Sequence, residues 1–176
     1  EDEIILAAFA EIKAQLESVL LVIVPRHPER FNQVANLCKS AGFSIARRSE
    51  NAPVAEADIL LGDSMGELMA FFGACDLAFV GGSFVPTGGH NMIEPAAWGV
   101  PVLTGPHLFN FTGIAHLLTK AGGMKVCQDV DDLAHQSVML LQDERHRNQM
   151  GEAARHVAVA NRGALDRLLA LIAQAI

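Results

Sequence analysis

Residues Leu77 to Thr104 read LAFVGGSFVPTGGHNMIEPAAWGVPVLT, and the reading of this stretch decides the fold. Leu77 to Val80 is a short apolar run of strand type that passes into Gly81-Gly82-Ser83. Asn91 to Trp98 is predicted to be helical, with Gly99 as its stop. Pro101 to Thr104 is again a strand. Strand, helix and strand in succession imply parallel strands joined by a right-handed crossover.

The alternation continues on both sides. Ile4, Ile5, Ala8, Ile12 and Leu16 recur at helical spacing, so an amphipathic helix opens the chain. Val19 to Val24 (VLLVIV) is a continuous branched run, expected to be a strand covered on both faces. Pro25 ends it, and Pro28 suits the first turn of a helix carrying Phe31, Val34, Ala35, Leu37 and Cys38, which stops near Gly42. Phe43 to Ala46 and Ile59 to Leu61 are short strands, and Ser64 is expected to open a helix with Leu68, Met69, Phe71 and Phe72. After Thr104 come a helix around Phe111 to Lys120, a sixth strand at Met124 to Cys127, and helical stretches over roughly 130–142, 144–160 and 163–175. About six parallel strands with helices on both faces make a doubly wound, Rossmann-like α/β domain. Its ligands bind outside the carboxyl ends of the strands, so functional residues should follow strands directly.

Composition agrees. The chain has 176 residues, 51% of them hydrophobic and 19% charged, enough for one domain with a sizeable core. The net charge of -7 argues against a general nucleic-acid binder, which needs a basic excess, but leaves room for a small anion at a local positive site. Cys38, Cys75 and Cys127 are far apart, have no metal-ligand spacing, and are expected to be reduced thiols. Nothing resembles a signal peptide, and no apolar run approaches the ~20 residues of a membrane span.

Four motifs sit where the rule for ligand sites puts them. Pro25-Arg26-His27-Pro28 follows the first strand, and the planar guanidinium of Arg26 suits phosphate or carboxylate. The alternative is a stiff turn with solvated side chains; Arg30 is expected at the surface. Ser64-Met65-Gly66-Glu67 matches a capping box, which would account for both Ser64 and Glu67 without a ligand, yet Gly66 would also let a ligand approach the backbone. The densest motif is Gly81-Gly82-Ser83, then Gly88-Gly89-His90-Asn91, then Glu94-Pro95. Two glycine pairs bracket a loop that leads to a helix N-terminus, where a phosphate is well received. The spacing is neither the Walker nor the dinucleotide-binding pattern, which disfavours P-loop kinases and nicotinamide dehydrogenases. Asn91 and Glu94 could instead be a cap. Gly105-Pro106-His107 and Asn110 follow the fifth strand and form a second rank with His27, Gly82, Ser83 and His90. His116, His135, His146 and His156 fall in helical stretches and are expected to be solvated or satisfied in the core; Arg145 and Arg147 read as a helix face, and Arg47-Arg48 as local positive potential or solubility.

Taken together, VPRHPERF at 24–31, GDSMGEL at 62–68, FVGGS at 79–83, GGHNMIEPA at 88–96 and PVLTGPHLFNF at 101–111 resemble the 3-deoxy-D-manno-octulosonic acid (Kdo) transferases. The resemblance runs to the closing NRGAL at 161–165. It implies the C-terminal, donor-nucleotide half of a GT-B glycosyltransferase over residues 1–176, without the N-terminal acceptor half. Such enzymes move Kdo from CMP-Kdo onto a lipid A precursor at the cytoplasmic face of the bacterial inner membrane. The missing half carries the membrane anchor, the acceptor site and the general base, so no general base is assigned here and the chain alone is expected to be inactive. No metal or other cofactor is implied. The resemblance assigns CMP contacts to Pro25 and Arg26, to Met65, Gly66 and Glu67, and to Asn91, Met92, Ile93 and Glu94. Arg26 would offset phosphate charge, Met65 and Gly66 would read the cytosine edge through their backbone, and Glu94 would hold ribose hydroxyls. The Met92 side chain is expected to be buried. The alternatives are half of a GT-B enzyme that uses a UDP-sugar, or a nucleotide-binding module without catalysis.

Overall fold

A computed structural model describes residues 1–161, apart from residue 52; the helix expected over 163–175 and most of the NRGAL segment lie outside the described residues. Helices α1 (Asp2–Gln15), α2 (Phe31–Ser40), α3 (Leu68–Ala74), α4 (Ile93–Ala97), α5 (Thr112–Ala121), α6 (Val130–Gln142) and α7 (Glu144–Asn161) alternate with or follow six strands. These are β1 (Leu21–Ile23), β2 (Ile45–Arg47), β3 (Ile59–Leu61), β4 (Ala78–Val80), β5 (Val102–Thr104) and β6 (Met124–Val126).

All strand pairs are parallel, as the alternation requires. They form two three-stranded ladders, β1-β3-β2 and β4-β5-β6. The continuous six-stranded ladder expected from sequence is thus divided between β1 and β4. The two sheets remain linked by shared packing, since Val19, just before β1, touches both the core beneath the first sheet and that beneath the second. β1 is an edge strand and its residues are only half-buried, unlike the covered strand that VLLVIV suggested. β3 in the first sheet and β5 in the second occupy the central positions; Ile59, Leu61, Val102 and Leu103 are fully buried there. Truncating Ile59, Leu61 or Leu103 to Ala would cost about 2–5 kcal/mol, the usual range for a lost Leu or Ile in a core.

Helix α1 joins the two cores. Leu6 and Phe9 pack with Val34, Cys38 and Ile59 under the first sheet, while Ala8 and Ile12 pack with Leu103, Leu133 and Val138 under the second. A third cluster, around Met92, Val102, Leu118 and Ala154, seats α4, α5 and α7 on β4-β5-β6.

Two helices start later than expected, for local reasons. Gly66 has φ +84°, a left-handed conformation that no right-handed helix can contain, so α3 begins at Leu68 and not at Ser64. Asn91 Oδ1 accepts the Ile93 N–H at 3.1 Å, an Asx turn that keeps Asn91 outside the helix, so α4 begins at Ile93 with Met92 as its N-cap residue.

Candidate functional site

Side chains tie the carboxyl ends of the strands in two pairs, β1 to the loop after β4 and β2 to β3. After β1, Pro25 is buried and Arg26 is exposed. Arg26 Nη1 lies 3.1 Å from His90 Nδ1, which connects the end of β1 to the glycine-rich loop after β4 and so spans the divide between the sheets. A guanidinium only donates, so Nδ1 of His90 accepts and the ring proton of the neutral imidazole is on Nε2. Burial, and next the neighbouring positive charge of Arg26, hold the His90 pKa below its ordinary value, against the opposing pull of Glu1. His27 stays exposed in the turn, 4.0 Å from Glu29, and Arg30 pairs with Asp2.

The loop after β4 is held from behind. Ser83 is fully buried; its hydroxyl donates to the Val80 carbonyl at 2.7 Å and accepts the Gly105 N–H at 2.8 Å. Its side chain is therefore committed to the scaffold. The His107 N–H donates to the Ser83 carbonyl at 2.9 Å, and the Asn110 side chain donates to the Thr87 carbonyl at 3.0 Å. His107 and Asn110 thus fasten the β5 loop onto the β4 loop. In front, Gly82, Ser83 and Phe84 direct their backbone N–H groups at the carboxylate of Glu1, over 2.6, 2.9 and 2.8 Å. Gly82 has φ +69°, and a Cβ there would stand 3.1 Å from His90 Nε2.

After β3, the segment Asp63 to Glu67 is held by two arginines from the end of β2. Arg47 Nε donates to buried Asp63 at 2.6 Å, and Ser49 donates to the same carboxylate through its N–H at 2.8 Å and its hydroxyl at 2.7 Å. Burial alone would raise the Asp63 pKa; the hydrogen bonds from Ser49 and Arg47 outweigh it and hold the group below its ordinary value. Arg48 Nη2 donates to Glu67 at 2.8 Å, and the Ser64 hydroxyl donates to the other Glu67 oxygen. These two bonds, Ser64 first, keep the Glu67 carboxyl ionised below its usual range. Ser64 and Glu67 bond side chain to side chain just before α3, so the capping-box expectation fails: neither satisfies a backbone N–H of the first turn. The Met65 and Gly66 N–H groups make no hydrogen bond among the described residues, Met65 is exposed, and a Cβ on Gly66 would meet nothing within 4 Å.

At the start of α4, the Asn91 side chain takes the Ile93 N–H through its oxygen and donates to Glu94 at 3.1 Å through its nitrogen. The capping alternative is therefore not realised as expected, since Met92 is the N-cap residue and makes no side-chain cap, but the Asn91 oxygen still occupies the Ile93 N–H, one of the donors expected to meet a phosphate. The Met92 side chain is fully buried, as expected. Among the described residues no hydrogen bond joins the Met65–Glu67 segment to Arg26 or to Asn91–Glu94, so a molecule contacting all three must bridge open space.

Sequence reasoning missed the positioning roles of Arg47, Arg48, Ser49 and Asp63, and the contact of Glu1. An arginine pair after one strand and an Asp after its neighbour was the available signal for the first; nothing in the sequence pattern announces the second. Arg147 is more than a helix face, for it donates to the Leu140 and Leu141 carbonyls at the C-terminus of α6. His116, His135 and His156 are exposed on their helices and His146 is half-exposed. Cys38 and Cys127 are buried and Cys75 half-buried, all as free thiols; burial pushes each up, Cys127 to about 12. No helix among the described residues is long and apolar enough to cross a membrane.

Residues 3–157 match the family model of the glycosyl transferases, group 1. The chain is 47% identical over 174 residues to the 3-deoxy-D-manno-octulosonic acid transferase of Haemophilus influenzae, covering 98% of this chain and 41% of that protein. It is 38% identical over 174 residues to the transferase of the same name from Bordetella pertussis, with 96% and 41% covered. The chain thus spans about two fifths of the length of these curated relatives. Its fold superposes with a TM-score of 0.82 on the crystal structure of the C-terminal CMP-Kdo binding domain of WaaA from Acinetobacter baumannii, at 33% identity over 87% of this chain and 80% of that one. The glycosyltransferase WaaG, involved in lipopolysaccharide biosynthesis, shares the fold with a TM-score of 0.63 at 18% identity, over 91% of this chain and 39% of that one.

Proposed function

Because this chain belongs to the group 1 glycosyl transferases, and among them to the Kdo transferases, we propose that it is the half of such an enzyme that holds the CMP-activated sugar donor. The whole enzyme would pass Kdo to a lipid A precursor at the cytoplasmic face of the bacterial inner membrane, with acceptor site and general base supplied by a part of the protein outside this chain. The observation that carries the reading is the convergence of strand ends: Arg26 after β1 meets His90 after β4, and beside them the backbone at Met65 and Gly66 after β3 is open and unpaired. That is where a Rossmann-like domain takes its ligand.

The residues divide the work by chemistry. Arg26, following buried Pro25, offsets the charge of the donor phosphate and of the CMP that leaves when the glycosidic bond breaks. The Met65 and Gly66 amides read the cytosine edge; Glu67, kept ionised and fixed by Arg48 and Ser64, holds that segment in place. Glu94, steadied by Asn91, accepts hydrogen bonds from ribose hydroxyls, while Met92 and Ile93 contribute backbone only. Arg26 takes more of the phosphate than the short helix α4 does, because Asn91 already uses the Ile93 N–H.

Titration with CMP and with UMP, followed by amide chemical shifts, tests this. Selective shifts at Arg26, Met65–Glu67 and Asn91–Glu94, larger with CMP, are expected. In the full-length enzyme, Arg26→Ala and Glu94→Gln should each lower transfer. Shifts clustered elsewhere, or equal responses to the two nucleotides, contradict the assignment.

A further inference from the structure

The Glu1 carboxylate is seated in a cradle that has the properties of a ligand site. Three consecutive N–H groups, those of Gly82, Ser83 and Phe84, converge on its two oxygens at 2.6, 2.9 and 2.8 Å. Consecutive amides turned toward one point by a left-handed residue form an anion-binding concavity, here with Gly82 at φ +69°. The walls are kept clear by glycine: a Cβ on Gly81 would approach Glu1 Oε2 to 3.0 Å, and one on Gly82 would approach His90 Nε2 to 3.1 Å. His90 Nε2, which carries the ring proton because Arg26 occupies Nδ1, therefore stands beside the cradle as a further donor, with the guanidinium behind it. The rear of the loop is locked by the Ser83 hydroxyl, so the three amides are held in place before any anion arrives. None of this is needed to hold α1, whose N-cap residue Glu1 makes no side-chain cap.

We propose that the Gly82–Ser83–Phe84 cradle is the carboxylate subsite of the donor site, that it takes the carboxylate of the sugar acid carried by the nucleotide, and that Glu1 fills it when no donor is bound. This rests on the reading that the chain binds a CMP-activated sugar acid. The seated group is a carboxylate held through both oxygens, which matches the acid function of the sugar. Arg26, on the outer side of His90, remains available to the phosphate. Glu1 then acts as a tethered competitor: the chain's own carboxylate must leave before a donor bearing a carboxylate can enter. Apparent affinity falls by the fraction of molecules whose cradle is free, so a cradle filled by Glu1 in about nine molecules of ten weakens carboxylate-bearing donors roughly tenfold.

The test compares CMP, which has no carboxylate, with CMP-Kdo, on the chain as it is and on Glu1→Ala and Gly81→Ala, each checked for folding by circular dichroism. Isothermal titration should show CMP-Kdo tightened about tenfold by Glu1→Ala and weakened by Gly81→Ala, with CMP within about twofold throughout. Amide shifts at Gly82, Ser83 and Phe84 should respond to CMP-Kdo and to millimolar free Kdo, but not to CMP. If Glu1→Ala tightens CMP and CMP-Kdo alike, the cradle is a phosphate site and the proposal is wrong. If it changes neither, the cradle lies outside the donor site and the proposal is equally wrong. Failure of CMP itself to bind at Met65–Glu67 would instead remove the donor reading on which the proposal stands.

Discussion

Ser83→Ala separates the scaffold of the site from its ligand contacts. The hydroxyl is fully buried and makes two bonds, to the Val80 carbonyl at 2.7 Å and from the Gly105 N–H at 2.8 Å. Alanine removes both at once and puts nothing polar in their place. A buried donor or acceptor stripped of its partner costs about 1–3 kcal/mol. Two such groups, partly relieved by relaxation, give a loss of roughly 2–4 kcal/mol. For a domain of this size each kcal/mol moves the melting temperature by about 2–4 °C, so a drop of roughly 5–15 °C is expected. Thermal unfolding followed by circular dichroism measures it. Nucleotide affinity, taken at a temperature where the variant is fully folded, should change little, because the hydroxyl points away from the site and the Ser83 N–H survives the substitution. A melting temperature within a degree or so of the original would refute the assignment of this hydroxyl to the scaffold. A large loss of CMP affinity in a folded variant would show that the side chain reaches the ligand after all.

Two further substitutions and one titration probe the frame. Gly123→Ala would place a Cβ 2.5 Å from the Ala154 backbone on α7 and 2.9 Å from its Cβ, so α7 must move; a loss of about 1–3 kcal/mol or more is expected in chemical denaturation. Gly122→Ala next to it meets open space and suffers only its left-handed φ of +78°, about 1–2 kcal/mol, so the pair should differ in that order. For Asp58, hydrogen bonds from Lys13 first and then from Ser44 lower the folded pKa to about 2. The unfolded value is near 3.9, so its stabilisation is complete above about pH 4 and is lost as pH falls toward 2. Melting temperatures of the original chain and Asp58→Asn should therefore converge over that interval; a constant gap would show that the pair contributes nothing through ionisation.

The alternation of strands and helices was legible because it rests on periodicity, and Ile59–Leu61 and Val130–Gln142 fall where the apolar spacing puts them. What misled was local competition. Gly66 has the freedom to adopt a left-handed turn, and Asn91 the short polar side chain to hold an Asx turn; both delay a helix that periodicity alone would begin earlier. The capping box at Ser64 and Glu67 looked complete as a pattern, yet Arg48, just after β2, draws Glu67 into an ion pair instead. Contacts of that kind, like Glu1 with the β4 loop, depend on elements far apart in the chain meeting in space, and no local spacing encodes them. The strand ends that form the site could be named in advance because topology places them; their partners could not.

The packing of α1 on α6 has a consequence for the order of events during synthesis. Every strand pair closes within its own half of the chain, the first sheet between residues 21 and 61 and the second between 78 and 126. Each can assemble from what has already emerged from the ribosome, which is how domains gain structure as they grow. Helix α1 precedes both sheets in the chain, yet Ala8 and Ile12 find Leu133 and Val138 only once most of the described residues have been made. Until then part of its apolar face has no permanent neighbour, and a helix made before both sheets is among the last of the described helices to reach its final seat. The contact of Glu1 with the β4 loop, one residue before that helix, can settle only after β4 itself is in place.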